Sequence, residues 1–353
     1  MINRAFWCGK RVFLTGHTGF KGGWLALWLA DMGAEVHGYS LSPPTEPNLF
    51  STANIKGCTR TNTIADIRDA ATLTKALRVA RPEIVLHLAA QPLVRYSYRA
   101  PVETYAVNVM GTVNLLEAVR QTPSVKAVLN VTTDKCYENQ EWVWPYREIE
   151  SLGGFDPYSS SKACSELVTA AYRTSFLIDA GVNLASARAG NVIGGGDWAE
   201  DRLVPDCLRA MDARKKLFIR SPQSTRPWQH VLEPLSGYLT LAERLFTEDQ
   251  GFSEAWNFGP DETDVRPVKW IADYLCSKNP AVSWQREPSA EAYEANTLKL
   301  DSSKAKARLD WKPRWSLQTA LDMTINWHQA WRQGIDVAKL SLLQIHEYEA
   351  TAI

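Results

Sequence analysis

Tyr158 and Lys162 stand four residues apart in Tyr158-Ser-Ser-Ser-Lys162. On a helix that spacing puts both side chains on one face. An ammonium beside a phenol stabilises the phenolate, so the pair predicts a tyrosine that exchanges a proton with an alcohol. Far upstream, Gly16-His-Thr18-Gly19-Phe20-Lys-Gly22 follows a strand-like run and opens a helical one. A glycine-rich turn at a helix start can hold a dinucleotide pyrophosphate on its backbone N–H groups. Together the two motifs predict hydride chemistry on an alcohol with a nicotinamide cofactor.

Each glycine has its own task. Gly16 permits the tight turn, Gly19 lets the backbone approach phosphate, and Gly22 allows close helix packing. Thr18 and Phe20 are cofactor candidates within the same turn. The spacing is Gly-x-x-Gly-x-x-Gly, not the commoner Gly-x-Gly-x-x-Gly. An acidic residue usually ends the next strand when NAD is bound. Here Tyr39-Ser40-Leu41-Ser42 supplies neither an acid nor an arginine. Ser40 is left either as a ribose donor or as an ordinary strand-end residue. Asp66 is a candidate for the adenine amino group, or a turn residue.

Thr132-Thr133-Asp134-Lys135 closes another strand-like run. Chain order puts Thr133 at the carboxyl edge of a sheet, where open α/β folds bind ligands. Its hydroxyl can bond the oxygen that Tyr158 deprotonates, and Asp134 and Lys135 add an acid and an amine beside it. In His87-Leu-Ala89-Ala-Gln91, small residues allow a dinucleotide to lie close. Ala89 is thus a cofactor candidate and Gln91 a substrate candidate, whereas His87 is expected in the core. Asn108 is a candidate for steadying the nearby backbone. Further on, Asn191, Arg220, Arg226 and His230 are candidates for a phosphorylated substrate; a guanidinium suits bidentate phosphate contacts.

The elements that must carry these residues alternate. Strands are predicted at Arg11–Thr15, Glu35–Tyr39, Thr61–Asp66, Glu83–Leu88, Val125–Thr132, Asn183–Arg188 and Ala255–Phe258. Helices are predicted from Lys21 to Gly33, at Asp69–Ala80, Pro101–Gln121 and Tyr158–Asp179, and near Val268–Cys276 and Leu317–Arg332. Such alternation predicts an α/β fold, a Rossmann-type doubly wound parallel sheet with a smaller C-terminal α/β substrate-binding lobe. Residues 1–188 with 233–258 are expected to form the dinucleotide domain, and 189–232 with 259–353 the substrate domain. The segment after Gly334 is ambiguous.

Apolar residues make up 45% of the 353 and the formal net charge is zero, so nothing favours nucleic acid or an anionic membrane as partner. No run approaches a membrane span, and the six scattered cysteines lack any Cys-x-x-Cys. These features predict a cytoplasmic protein with no metal site.

These motifs resemble the extended short-chain dehydrogenase/reductase family, and most closely its nucleotide-sugar 4,6-dehydratases. The supporting positions are Gly16, Gly19, Gly22, Thr133, Asp134, Tyr158, Lys162 and Arg226. Lys135, where most of that group carries glutamate, is similar to the CDP-glucose branch. The resemblance implies NAD as cofactor, CDP-glucose as substrate, and a homodimer or dimer of dimers paired through the two long helices. It implies oxidation at C4, loss of water across C5–C6 and return of hydride to C6. Asp134 and Lys135 are then the elimination pair, read as acid and base respectively.

Overall fold

A computed structural model describes residues 2–248, 251–278, 282–287 and 296–352. Its strands are β1 (Arg11–Thr15), β2 (Glu35–Ser40), β3 (Thr61–Ile64), β4 (Ile84–His87), β5 (Ala127–Val131), β6 (Asn183–Ala189), β7 (Asn191–Ile193), β8 (Leu217–Ile219), β9 (Thr225–His230), β10 (Ala255–Phe258), β11 (Val265–Pro267) and β12 (Trp284–Arg286). Seven form one parallel sheet in the order β10-β6-β5-β4-β1-β2-β3. The chain winds outward from β1 in both directions. The crevice between the ends of β1 and β4 is therefore the switch point where such sheets take ligands.

Both sheet faces are covered, and the strand period of two sorts the side chains between them. Val12, Leu14, Leu86 and Leu129 pack with the helix Phe20–Asp31 and with Leu232–Thr247. Phe13, Val85 and Val128 point the other way, toward the helices Ala70–Ala80 and Gly111–Arg120. The expected helix over 101–121 is one rod with a π turn at Ala106–Met110. The helix Pro157–Tyr172 likewise ends in a π turn, Arg173–Leu177.

A smaller lobe contains the sheets β11-β9-β7 and β12-β8 around a separate apolar cluster. The helices that sequence patterning missed include Leu203–Ala213 and Leu232–Thr247. Pro205 and Pro234 sit in their first turns, where a missing N–H costs no intrahelical bond. Proline read as a breaker is here compatible with a helix start.

The ambiguous segment after Gly334 is the helix Val337–Ala350. It docks by Tyr348, whose ring meets Trp28 and Trp315 edge-on and whose hydroxyl donates to Glu233 at 2.7 Å. Glu233 also accepts from the Trp315 N–H at 2.8 Å. Burial pushes its carboxyl up to about 7 from 4.5, even though those donors pull it down. The folded chain thus binds this proton more tightly than the unfolded chain. Stability should fall as pH rises from about 4.5 to about 7, by on the order of 3 kcal/mol. Urea unfolding of wild type and Glu233→Gln across that window checks this: the variant should lose that part of the slope.

Candidate active site

Two local signals build the catalytic face. Beyond β5 the chain reaches Thr133, whose side chain caps the short turn Asp134–Cys136 by accepting from the Lys135 N–H. Asp156 caps the helix Pro157–Tyr172 by accepting from Ser159 N–H at 2.9 Å, with Pro157 at the first helical position. Tyr158 therefore enters the first turn and Lys162 the next. The Thr133 hydroxyl donates to Asp134 Oδ1 at 3.0 Å, and Tyr158 lies within reach of the same hydroxyl. Tyr158, Thr133 and Asp134 thus form one connected run.

The run is nearly dry, with Asp134 2% and Tyr158 9% exposed. Asp134 Oδ2 is buried and accepts no hydrogen bond from the protein. Burial pushes the Asp134 carboxyl up, although Lys135, Thr133, Arg226 and Lys21 pull it down. That direction favours proton retention, as the acid role requires. Lys135 is half-buried at the rim.

Lys162 is held by the backbone at the end of β5. Its Nζ donates to the Val131 carbonyl at 2.9 Å, and burial lowers the ammonium to about 8 against the pull of Glu166. The phenol is pushed up to about 12 by burial and by Asp134, and the cation that opposes this is Arg202. Helical spacing brought the two side chains to one face but left the direction of the amine to its tertiary partners.

Arg202 and Lys21 were missed. Arg202 is oriented by Asp197 at 2.9 Å. Lys21, inside the glycine turn itself, is lowered to about 7 by burial and by its neighbours Arg202 and Lys162. The position of Lys21 in the motif was a usable signal; nothing local marked Arg202.

The glycine turn is built to admit a dinucleotide. Gly16 has φ +79°, and a Cβ there would lie 2.8 Å from the backbone of Leu88 and Ala89. Gly19 opens the helix Phe20–Asp31, which Phe20 begins. A Cβ on Gly22 would lie 2.1 Å from the Gly16 carbonyl oxygen. Gly22→Ala must therefore displace the turn. It should cost about 1–3 kcal/mol and abolish dinucleotide binding, as thermal unfolding and titration calorimetry would report.

Thr18 and Ser40 share a hydrogen bond of 2.8 Å, so Ser40 braces the turn. The Asp66 carboxylate is held by Arg68 at 2.6 Å. Asn108 steadies the chain after β4, accepting from Gln91 N–H at 2.9 Å and donating to Ser161 on the Tyr158 helix at 2.9 Å. His87 belongs to the core: it pairs with Thr15 at 2.7 Å and burial lowers it to about 3.

On the substrate side, Arg226 is buried on β9 and near enough to Asp134 to act on its charge. Asn191 begins β7 beside it, opposite Trp228. Between them and the acid, a Cβ on Gly190 would lie 3.2 Å from Asp134 Oδ2. Arg220 is engaged by Asp201 at 3.4 Å. His230, expected at the substrate, is wholly enclosed. Its ring packs between Trp24 and Trp315, and it braces the Leu232 N–H. The structure does not bring it to this face, because the aromatic packing of β9 turns it inward. Among the described residues, no cluster of three or more potential metal ligands is present.

The family model described as GDP-mannose 4,6 dehydratase matches residues 13–324. The CDP-glucose 4,6-dehydratase of Salmonella typhimurium is 53% identical over 99% of this chain and 98% of its own. Two solved structures share the fold. An epimerase from Methanothermobacter thermautotrophicus superposes with TM-score 0.80 at 24% identity, covering 94% of this chain and 95% of its own. A dTDP-glucose 4,6-dehydratase from Streptomyces venezuelae, with NAD bound, gives 0.77 at 22%, covering 93% and 99%.

Proposed function

Because this chain belongs to the GDP-mannose 4,6 dehydratase family, we propose that it is a lyase that converts CDP-D-glucose to CDP-4-keto-6-deoxy-D-glucose with NAD. The observation that carries the reading is the buried run Tyr158–Thr133–Asp134 at the carboxyl edge of the sheet, in a chain 53% identical to a CDP-glucose 4,6-dehydratase. An alcohol oxidation needs only the tyrosine. A buried acid in the same run is what an elimination adds.

Gly16, Gly19 and Gly22 hold the dinucleotide backbone, with Thr18, Ser40 and Asn108 bracing the chain around it. NAD, when bound there, would supply the acceptor for the C4 hydride and its donor to C6. Tyr158, as the phenolate that the Lys162 ammonium one turn along the helix favours, receives the proton of the 4-hydroxyl, and Thr133 orients that oxygen. The C4 ketone acidifies the C5 proton, which Lys135, as the neutral amine, removes and then returns to C5 as hydride reaches C6. Asp134 delivers its retained proton to the departing C6 hydroxyl. Each such proton transfer contributes about 10²–10⁴ in rate. Arg226 and Asn191 take the diphosphate. Residues 1–188 with 233–258 carry the cofactor, and 189–232 with 259–353 the sugar nucleotide.

Incubating the protein with NAD and CDP-glucose should yield the alkali-dependent chromophore of a 4-keto-6-deoxy sugar. The dTDP, UDP and GDP analogues should be turned over far more slowly. Recovery of a C4-epimerised sugar without the chromophore would make the chain an epimerase instead.

The reading extends to a cytoplasmic homodimer. All six cysteines are free. The two long helices pack together on the sheet, yet leave Val102 82%, Met110 51% and Leu167 58% exposed. Apolar side chains in that position suit a second copy of the same helix pair. Light scattering over a dilution series should give twice the chain mass; a monomer at every concentration overturns this.

A further inference from the structure

We propose that Glu166 is a positioning residue that sets the Tyr158–Lys162 helix in register with the turn carrying Asp134 and Lys135. The proposal rests on the dehydratase reading for its kinetic consequences.

Glu166 lies one helical turn beyond Lys162, and its carboxylate is buried. Both oxygens are doubly occupied. Oε1 accepts from the Thr132 hydroxyl at 2.5 Å and from Arg188 Nε at 3.0 Å. Oε2 accepts from the Ser186 hydroxyl at 2.6 Å and from the Arg188 guanidinium at 2.9 Å. Thr132 immediately precedes the Thr133–Asp134–Lys135 segment. Tyr137 immediately follows the turn Asp134–Cys136, and Arg188 donates to its hydroxyl at 2.8 Å. That hydroxyl donates in turn to Asn257 of β10 at 2.7 Å. The elimination turn is thus gripped at both ends by one ion pair, and the acidic member of that pair stands on the helix that presents Tyr158.

A buried ion pair is a poor device for stability, because desolvating both charges about cancels their attraction. It is a good device for position, since a bidentate pair with four further donors or acceptors admits one arrangement. The two steps of the reaction use groups from different elements on the same sugar. An error of about 1 Å between them is worth about 10² in rate.

Glu166 also supplies charge. Around Lys162 stand Tyr158 and Glu166 on its own helix, Cys136 of the turn, His87 of β4 and Lys21 of the glycine turn. Glu166 is the carboxylate among them that holds the ammonium. Without its charge Lys162 loses its proton at lower pH.

The test compares wild type, Glu166→Gln, Thr132→Val and Tyr137→Phe. With wild type turning over CDP-glucose, Glu166→Gln should lower kcat about 100-fold with KM within about threefold, and shift the alkaline limb of the kcat profile to lower pH. Thr132→Val should lower kcat about tenfold and leave that limb in place. A fold element without a positioning role would change the unfolding temperature but not the limb. Folded Glu166→Gln and Thr132→Val with wild-type kcat and profile overturn the proposal. Should Glu166→Gln not fold, wild-type kcat in both Thr132→Val and Tyr137→Phe overturns it. Should wild type not act on CDP-glucose, the functional reading fails separately. A crystal structure of Thr132→Val then decides: the Asp134–Cys136 turn should shift against the Pro157–Tyr172 helix, and an unmoved turn overturns the register.

Discussion

Tyr158→Phe should leave a folded protein that still binds NAD but turns over CDP-glucose about 10³-fold more slowly. The substitution removes one oxygen and keeps the ring. That oxygen is the end of the Tyr158–Thr133–Asp134 run that meets the substrate. Its loss costs the fold only about 1 kcal/mol, the net value of one hydrogen bond. Without it, no group in the run receives the proton of the 4-hydroxyl, because Thr133 already donates to Asp134. Steady-state kinetics beside cofactor titration would check this. A variant that keeps more than about a tenth of wild-type turnover would remove Tyr158 from the chemistry.

Asp134→Asn should separate the two halves of the elimination. An amide cannot give a proton to the leaving C6 hydroxyl, so product formation should drop by about 10³. Lys135 is untouched, so removal and return of the C5 proton should continue. CDP-glucose recovered from heavy water should then carry deuterium at C5. Product loss without exchange would reverse the assignment and make Asp134 the base. The upward push of burial on Asp134 supports the first outcome, because a carboxyl that keeps its proton is ready to act as an acid. An amide of the same shape also retains the acceptor that Thr133 uses, so folding should survive.

Much of this was legible from the sequence because it is local. A strand announces itself by a short apolar run, and a glycine turn by the absence of Cβ atoms where backbones touch. Residues Gly16, Gly19 and Gly22 could be placed for that reason, and so could Tyr158 and Lys162 on one helix face. Asn108 was expected to steady a backbone, and it does so through Gln91. The helices beginning at Leu203 and Leu232 were lost for an equally local reason, a proline in the first turn.

What periodicity could not carry is the environment of each charge. Lys162 and the Val131 carbonyl it donates to are 31 residues apart. Arg202 reaches the tyrosine from the other lobe, and Glu166 grips Thr132 from 34 positions away. The sequence by itself determined the sheet, the dinucleotide turn and the identity of the reactive side chains, since these follow from backbone conformation over a few residues. Only the tertiary structure decided which amine opposes which acid, and how strongly water is excluded from each. Desolvation and Coulomb interaction depend on distance through space, and chain spacing carries no record of either.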